Sequence, residues 1–372
     1  MKNCIGIIYS GNERKDYGTL TKGRPDYMLP FGSRYRTIDF TLSNFSEHGL
    51  TKVLLFGGKN IRSTLDHVGN GKNWGLDKRS DGLMINPPVV REMGVVDTEI
   101  VTYFNSLRFF EDADHEYVYI ANPMVLARID ITKAYEEFLE NEYDVMFIYR
   151  KQEDEGGDYL NSKKIILDEY GNIINIGLNL GTENLFNMYA ENMFIKKELF
   201  MQLVKEGLEI GNADTLIQAI FNNKRRLKIG GLELFRHVEF IRDLKSYYKA
   251  NTNLLNYGIY ADLLLAGAGV KTKSKDEPST LYLEGNAVSN SIVANGCIIE
   301  GDVQNSVIFR GAIIGKNAIV KNSIIYQKAV IEDNAIVINS ILDKNVVVKE
   351  GVFVQGTKNN PYVVEKNAVV EE

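Results

Sequence analysis

The sequence predicts two dissimilar folds in one chain: an α/β doubly wound domain, then a triangular parallel β-helix. Three observations predict this. Short aliphatic runs alternate with helix-period segments over the first 250 residues, a polar stretch holding Pro278 follows, and aliphatic residues then recur at steps of six, six and five. At 372 residues the chain is about twice a comfortable single core, so a second module is expected. The division this implies is an α/β domain over 1–250, a helix and linker over 251–282, and a β-helix over 283–372.

The elements follow in order. Cys4 to Tyr9, Val53 to Phe56, Val118 to Ile120 and Val145 to Tyr149 are short, aliphatic and unalternated, as strands buried on both faces of a parallel sheet must be. Between them, Ile38 to Glu47 and Ile131 to Glu140 carry the helical period. Strand then helix, repeated, is the order of a doubly wound sheet, whose ligand crevice opens at the carboxyl ends of the strands. Chemistry belongs there. An apolar helix is expected from Leu254 to Ala268, and a linker from Lys271 to Ser279. From Val303 the aliphatic series runs through Ile308, Ile314, Val320, Ile325, Ile331, Val337, Leu342, Val348 and Val354, so the pattern returns every 17 residues. Asn305-Ser306, Asn322-Ser323 and Asn339-Ser340 keep the same register, and Ala312, Ala318, Ala329 and Ala335 supply small residues for the bends. Three short strands per turn, each pointing one aliphatic inward, fit this spacing; helical and flat-strand periods do not.

Composition excludes several classes. No apolar run reaches the roughly 18 residues of a membrane span, and 43 Lys and Arg against 49 Asp and Glu, dispersed along the chain, leave no footprint for nucleic acid. Two cysteines, Cys4 and Cys297, do not make a disulfide framework, and the first residues lack a signal-peptide core, so a cytoplasmic location is expected. Coiled β-helix proteins include acyltransferases with a histidine base on the coil. Here His48, His67, His115 and His237 all precede the linker, which points to a coil used for assembly or regulation.

Leu29-Pro30 followed by Phe31-Gly-Ser-Arg-Tyr-Arg-Thr-Ile-Asp-Phe-Thr-Leu-Ser-Asn44, with Arg242-Asp243, Tyr247-Tyr248-Lys249-Ala250-Asn251 and Gly296-Cys-Ile-Ile-Glu-Gly301, resembles the bacterial glucose-1-phosphate adenylyltransferases over nearly the whole chain. The resemblance implies a nucleotidyltransferase-like, Rossmann-like α/β domain and a left-handed β-helix of hexapeptide-type repeats. It also implies chemistry: ATP and glucose 1-phosphate give ADP-glucose and pyrophosphate, by attack of a sugar-phosphate oxygen on the α-phosphorus. Such a reaction needs a backbone-rich phosphate loop, cations against the developing charge, and carboxylates that hold magnesium.

Measured against the family's motifs, those parts are altered. Its GGxGxRL loop aligns with Gly11-Asn-Glu-Arg-Lys-Asp-Tyr17, where Gly11 alone survives, Asn12 and Arg14 obstruct backbone approach, and Asp16 replaces the loop arginine. Its Lys-Pro falls on Asp26-Tyr27, a second inversion of charge. Its Ser-Gly-Asp-His step becomes Asn122-Pro-Met-Val125, so Met124 stands where a magnesium ligand is required, and a thioether is a poor ligand for that hard cation. Its Glu-Lys-Pro clamp maps onto Leu178-Asn179-Leu180, and a glycine downstream maps onto Glu191. Asp243 matches the second magnesium carboxylate, without its partner.

Each surviving feature has two readings. Gly11 is a nucleotide cradle or a turn, Asp243 a metal ligand or a helix cap, Arg34 and Arg36 beside Tyr35 a regulatory anion site or a solvated surface, and Trp74 packing. The resemblance is to the catalytically degenerate, GlgD-type branch. It implies a regulatory subunit in glycogen biosynthesis, without a cofactor of its own, in a mixed tetramer whose homologous catalytic partner holds magnesium. Nucleic acid and membrane are not expected as partners. An active sugar-phosphate nucleotidyltransferase with a variant site, and a stand-alone sugar-phosphate or nucleotide sensor, are the alternatives.

Overall fold

A computed structural model describes residues 1, 3–11, 16–88 and 97–371. Asn12 and Arg14 of the loop therefore lie outside the described residues. The chain divides into two compact units: Met1–Glu13, Thr41–Gly58 and Asn70–Val238 form the first, and Arg14–Phe40, Lys59–Gly69 and Glu239–Glu372 the second. Each unit is discontinuous in sequence, and two N-terminal segments share the unit of the β-helix.

The first unit is built on a nine-stranded mixed sheet. β1 (Cys4–Ile8), β2 (Val53–Phe56), β3 (Leu83–Asn86) and β4 (Tyr117–Ala121) pair in parallel in the order β4-β1-β2-β3. The unalternated aliphatic runs are explained by burial: every residue of β1 and β2 is inaccessible. β5 (Val145–Glu153), β6 (Lys163–Leu167), β7 (Ile173–Leu178) and β8 (Leu185–Lys196) extend the sheet, with β8 antiparallel to β4, β5 and β6, and β9 (Ile229–Glu233) parallel to β5. Helix α1 (Thr37–Glu47) enters this unit at Thr41, α2 (Arg62–Val68) belongs to the second, and α3 (Glu99–Phe104), α4 (Ile131–Glu140) and α5 (Lys197–Ile210) belong to this one. Asp130 caps α4, its carboxylate accepting the Lys133 N–H at 3.0 Å. Ile5, Ile7, Leu54, Val118, Phe147, Ile195, Phe200 and Leu203 belong to one continuous core.

In the second unit, three stacks of parallel strands form the left-handed β-helix. Residues Asp302, Ile319, Ile336 and Phe353 lie in register at 17-residue steps, and Ile313, Val330 and Val347 likewise. The whole inward series from Val303 to Val354, with the four corner alanines, forms its core. The Asn-Ser repeat now has a cause. Asn305, Asn322 and Asn339 take φ of 49°, 48° and 47°, the left-handed corner that asparagine tolerates. Each following serine is fully buried, and the Ser323 and Ser340 N–H groups donate to the hydroxyls of Ser306 and Ser323 at 3.0 and 3.2 Å. One expectation is corrected. The helix over 254–268 is interrupted: α6 (Leu244–Asn253) ends, Asn256 caps a new turn α7 (Tyr257–Tyr260), and a π-helical turn, Ala261–Leu265, follows. The Asn256 side chain accepts from the Gly258 and Ile259 N–H groups, which restarts the helix rather than continuing it.

Candidate functional site

In the first unit, the carboxyl ends of the parallel strands carry aromatic rings. Tyr9 follows β1, Phe56 ends β2 and Tyr103 lies on α3; their centroids are 5.4 to 5.7 Å apart, and Tyr103 is inaccessible. Such a cluster is apolar packing with edge-to-face geometry, not a cradle for phosphate. After β4, Asn122 bonds the Glu191 carboxylate, and its Oδ1 accepts the Met124 N–H at 2.9 Å. The Met124 side chain is buried. Glu191 sits in an irregularity of β8 with φ 49°, a conformation that favours glycine, which is the residue the family's pattern has there. Lys163 lies 3.7 Å from Glu191. Glu99, on the first turn of α3, is pushed up to about 7 by burial, with the Lys163 ammonium opposing.

Asn179 is wholly committed to its loop. It is buried, its Nδ2 donates to Asp154 Oδ2 at 2.9 Å and to the Tyr159 carbonyl at 3.1 Å, and its Oδ1 accepts from Gly181. Gly11 has φ 81°, as either a turn or a cradle requires. Among the described residues, no group of three or more His, Cys, Asp or Glu is placed to hold a metal ion. Met124 offers a thioether where magnesium takes oxygen. Asp243 caps α6: its Oδ1 accepts from the Ser246 N–H at 2.7 Å, and its own N–H donates to the Ser246 hydroxyl oxygen at 2.9 Å, closing a capping box. Neither Met124 nor Asp243, as placed among the described residues, offers the oxygen set that magnesium takes.

The second unit holds a different kind of site. A cleft of about 650 Å³ is lined by ten lysines and arginines against four carboxylates. Arg34 and Arg36, expected as an anion site, both line it; Asp16 and Asp26 do not. Instead Asp16 accepts from the Gly18 N–H at 2.8 Å and Asp26 from the Tyr27 N–H at 2.8 Å, so each shapes its own turn. Arg36 is held by the Met28 carbonyl at 2.7 Å, and its backbone N–H donates to buried Asp39, which also meets His67 Nε2 at 2.7 Å.

Three of the four carboxylates are already engaged, Asp66 by Arg62 at 3.9 Å. Asp343 takes Arg24 in a bidentate pair at 2.8 and 3.0 Å, and Glu365 takes Lys22. Even so, Arg24 Nη1 and Arg310 Nε are buried without an acceptor. Buried guanidinium nitrogens left so are costly, and an anion in the cleft would supply what they lack. The crowding of cations has a second mark: Lys344 is held below the usual lysine range by burial, then by Lys366, Lys275, Lys328 and Arg36. Lys275 is lowered too, by burial and then by Arg310, Arg36 and Lys273.

Arg24, Arg310 and Lys344 escape a reading along the chain because they come from separate segments. A signal was nevertheless present. Arg310, Gln327 and Lys344 repeat at the coil's own spacing, so stacking the coils stacks them at one corner, where the Lys328 and Asn345 N–H groups bond the Arg310 and Gln327 carbonyls of the preceding turns. The motifs behind the family resemblance serve mainly as structural ties. Gly32, at φ 56°, donates its N–H to buried Asn251 at 3.0 Å, Tyr247 bonds Tyr326, and the Tyr248 hydroxyl bonds the Asn322 carbonyl.

A family model described as GlmU-like, C-terminal hexapeptide matches residues 280–369. Over 370 residues the chain is 34% identical to the glycogen biosynthesis protein GlgD of Geobacillus stearothermophilus, covering 99% of this chain and 97% of that protein. It is 27% identical over 318 residues to the protein of the same name from Bacillus subtilis, covering 85% and 82%. A glucose-1-phosphate adenylyltransferase of Clostridium perfringens is 26% identical over 331 residues, covering 86% and 83%.

Proposed function

The chain belongs to the family of the glycogen biosynthesis protein GlgD, and from that premise we propose that it is a non-catalytic, regulatory subunit of glucose-1-phosphate adenylyltransferase. The reaction, ATP and glucose 1-phosphate to ADP-glucose and pyrophosphate, belongs in this reading to a homologous partner that holds the magnesium, in a mixed tetramer in the cytoplasm. One observation carries it. Where the reaction demands free cations and a metal carboxylate, the described residues of the sheet's carboxyl edge present Tyr9, Phe56, Tyr103 and buried Met124, with Lys163 paired to Glu191 beside them. Asn179, in place of a phosphate clamp, is spent on its own loop.

The cationic cleft supports a regulatory output, since it is a place for a phosphorylated effector that needs no catalysis. A partner is supported by one face of the β-helix. Leu281, Ile298, Ile313, Val330, Val347 and Val369 stand in register on six neighbouring strands, and Leu281 and Val369 are half exposed. A column of outward aliphatics on a flat sheet suits protein contact. The stand-alone sensor shares the cleft and differs only in lacking the partner.

The test titrates a fixed amount of the active homologue from the same organism with this chain, reading pyrophosphate release and native mass together. The expected result is negligible synthesis by this chain alone, and a changed rate or apparent affinity in a complex of mixed composition. A flat activity curve without a mixed complex overturns the regulatory reading in favour of the sensor. Strong synthesis by this chain alone favours the active enzyme.

A further inference from the structure

Lys344 stands half-buried on the wall of the cationic cleft, at the coil corner it shares with Arg310. Its backbone N–H donates to Asp343 at 2.6 Å, which fixes the start of the side chain, while that carboxylate is bound to Arg24. Lys275, Lys328 and Lys366 line the same cleft. This combination is unusual for a lysine: a half-buried amine with cations around it and the neighbouring carboxylate, Asp343, already engaged. We infer that Lys344 is a modification site, acylated without an enzyme by acyl phosphates, the mixed anhydrides of a carboxylic and phosphoric acid, which the cleft collects through their phosphate. The inference rests on reading the cleft as an anion site.

Two physical effects combine. A positive concavity concentrates small anions and raises their encounter rate by about 10- to 10³-fold. The same surroundings, with burial first, hold the Lys344 ammonium below the ordinary lysine range and enlarge the fraction present as free amine. The amine attacks the acyl carbon, the bond from that carbon to the phosphate oxygen breaks, and the nitrogen's surplus proton leaves with the phosphate as hydrogen phosphate. The product is a neutral amide. It removes one positive charge from the cleft, so acylation weakens the binding of any anionic effector there.

The experiment uses the full chain and acetyl phosphate at pH 8, with intact mass and peptide mapping over time. Lys133 and Lys358, exposed and absent from the cleft, serve as references. Lys344 is expected to be acylated at least about tenfold faster than either, the lower end of electrostatic focusing. Inorganic sulfate should suppress that preference, and acetic anhydride, which carries no charge, should show much less of it. Equal rates at Lys344 and Lys358, or a preference indifferent to sulfate, overturn the inference. Sulfate binding is measured separately by calorimetry on the wild type, Lys344→Arg and Lys344→Gln. Weaker binding by the Gln variant, with the Arg variant near wild type, is the expected charge effect. Sulfate binding without Lys344 labelling sinks the acylation alone; neither binding nor labelling sinks the anion site with it.

Discussion

Half-buried Glu99 and buried Asp343 show how single carboxylates set the behaviour of each unit. Burial raises Glu99 from 4.5 to about 7, so its folded form prefers to be neutral. Below pH 4.5 it is neutral folded or unfolded and costs nothing; above pH 7 it is charged in both and the folded state carries the full penalty, at most about 3 kcal/mol. Stability from this group therefore falls as pH rises through that window. Glu99→Gln should match the wild type in melting temperature at pH 4 and exceed it at pH 8; equal curves at both would refute the assignment. Asp343 has the opposite bearing, since its side chain, 2% exposed, neutralises buried Arg24. Asp343→Asn leaves that guanidinium uncompensated and should cost about 3 to 5 kcal/mol in chemical denaturation. It should also bind sulfate more tightly, because a negative charge has left the cleft. Loss of stability with unchanged sulfate affinity would separate Arg24 from the anion site. Of this chemistry, Arg34 and Arg36 were legible because they are neighbours in sequence. The pairing of Arg24 with Asp343 spans 319 positions, and no local pattern encodes it.

Periodicity made the β-helix the most legible element, since one aliphatic per face must point inward on every turn whatever surrounds the coil. Its irregular ends were not legible. Ile298 pairs with Ile313 at a shorter step because the turn is cut at Gly301, where a Cβ would lie 2.4 Å from the Ala318 carbonyl oxygen. Ser340 pairs with Tyr362 at a longer one, the extra residues following Gln355. In the regular part, Ile331→Asp places an unpaired charge in a dry core and should cost several kcal/mol. Neighbouring coils depend on one another, so hydrogen exchange should show loss of protection throughout the strands from Leu281 to Val370. Tyr17, Leu20 and Phe31 belong to the same unit and should lose protection with them, whereas β1 and β2 keep theirs. Continued protection around Phe31 would show that the N-terminal segments do not depend on the coil. The repeat made the second core legible but not these segments, because nothing in a short run such as Tyr27 to Phe31 tells which core will bury it.

For the molecule as a whole, regulation requires that this chain bind two states of a partner unequally. A coupling free energy of about 1 to 3 kcal/mol would shift the partner's affinity for substrate or effector roughly 5- to 150-fold, the range that the mixing titration must resolve. Reciprocity gives a second readout, because the effector should then tighten or loosen the mixed complex by the same factor. The α/β class was legible from its aliphatic runs. The aromatic filling of the crevice was not, since Tyr9, Phe56 and Tyr103 are remote in sequence and converge only through the sheet. The discontinuous division has a consequence in time. The polypeptide passes from one unit to the other five times, and the stretches Arg14–Phe40 and Lys59–Gly69 are made long before Glu239–Glu372, with which they belong. At a ribosomal pace of roughly 5 to 20 residues per second, they wait on the order of 10 to 60 seconds for the partner sequence to emerge. During synthesis Tyr17, Leu20, Tyr27 and Phe31, inaccessible in the finished chain, are greasy side chains without a home, and that interval is where a nascent chain of this family is most exposed to chaperones and to miscarriage.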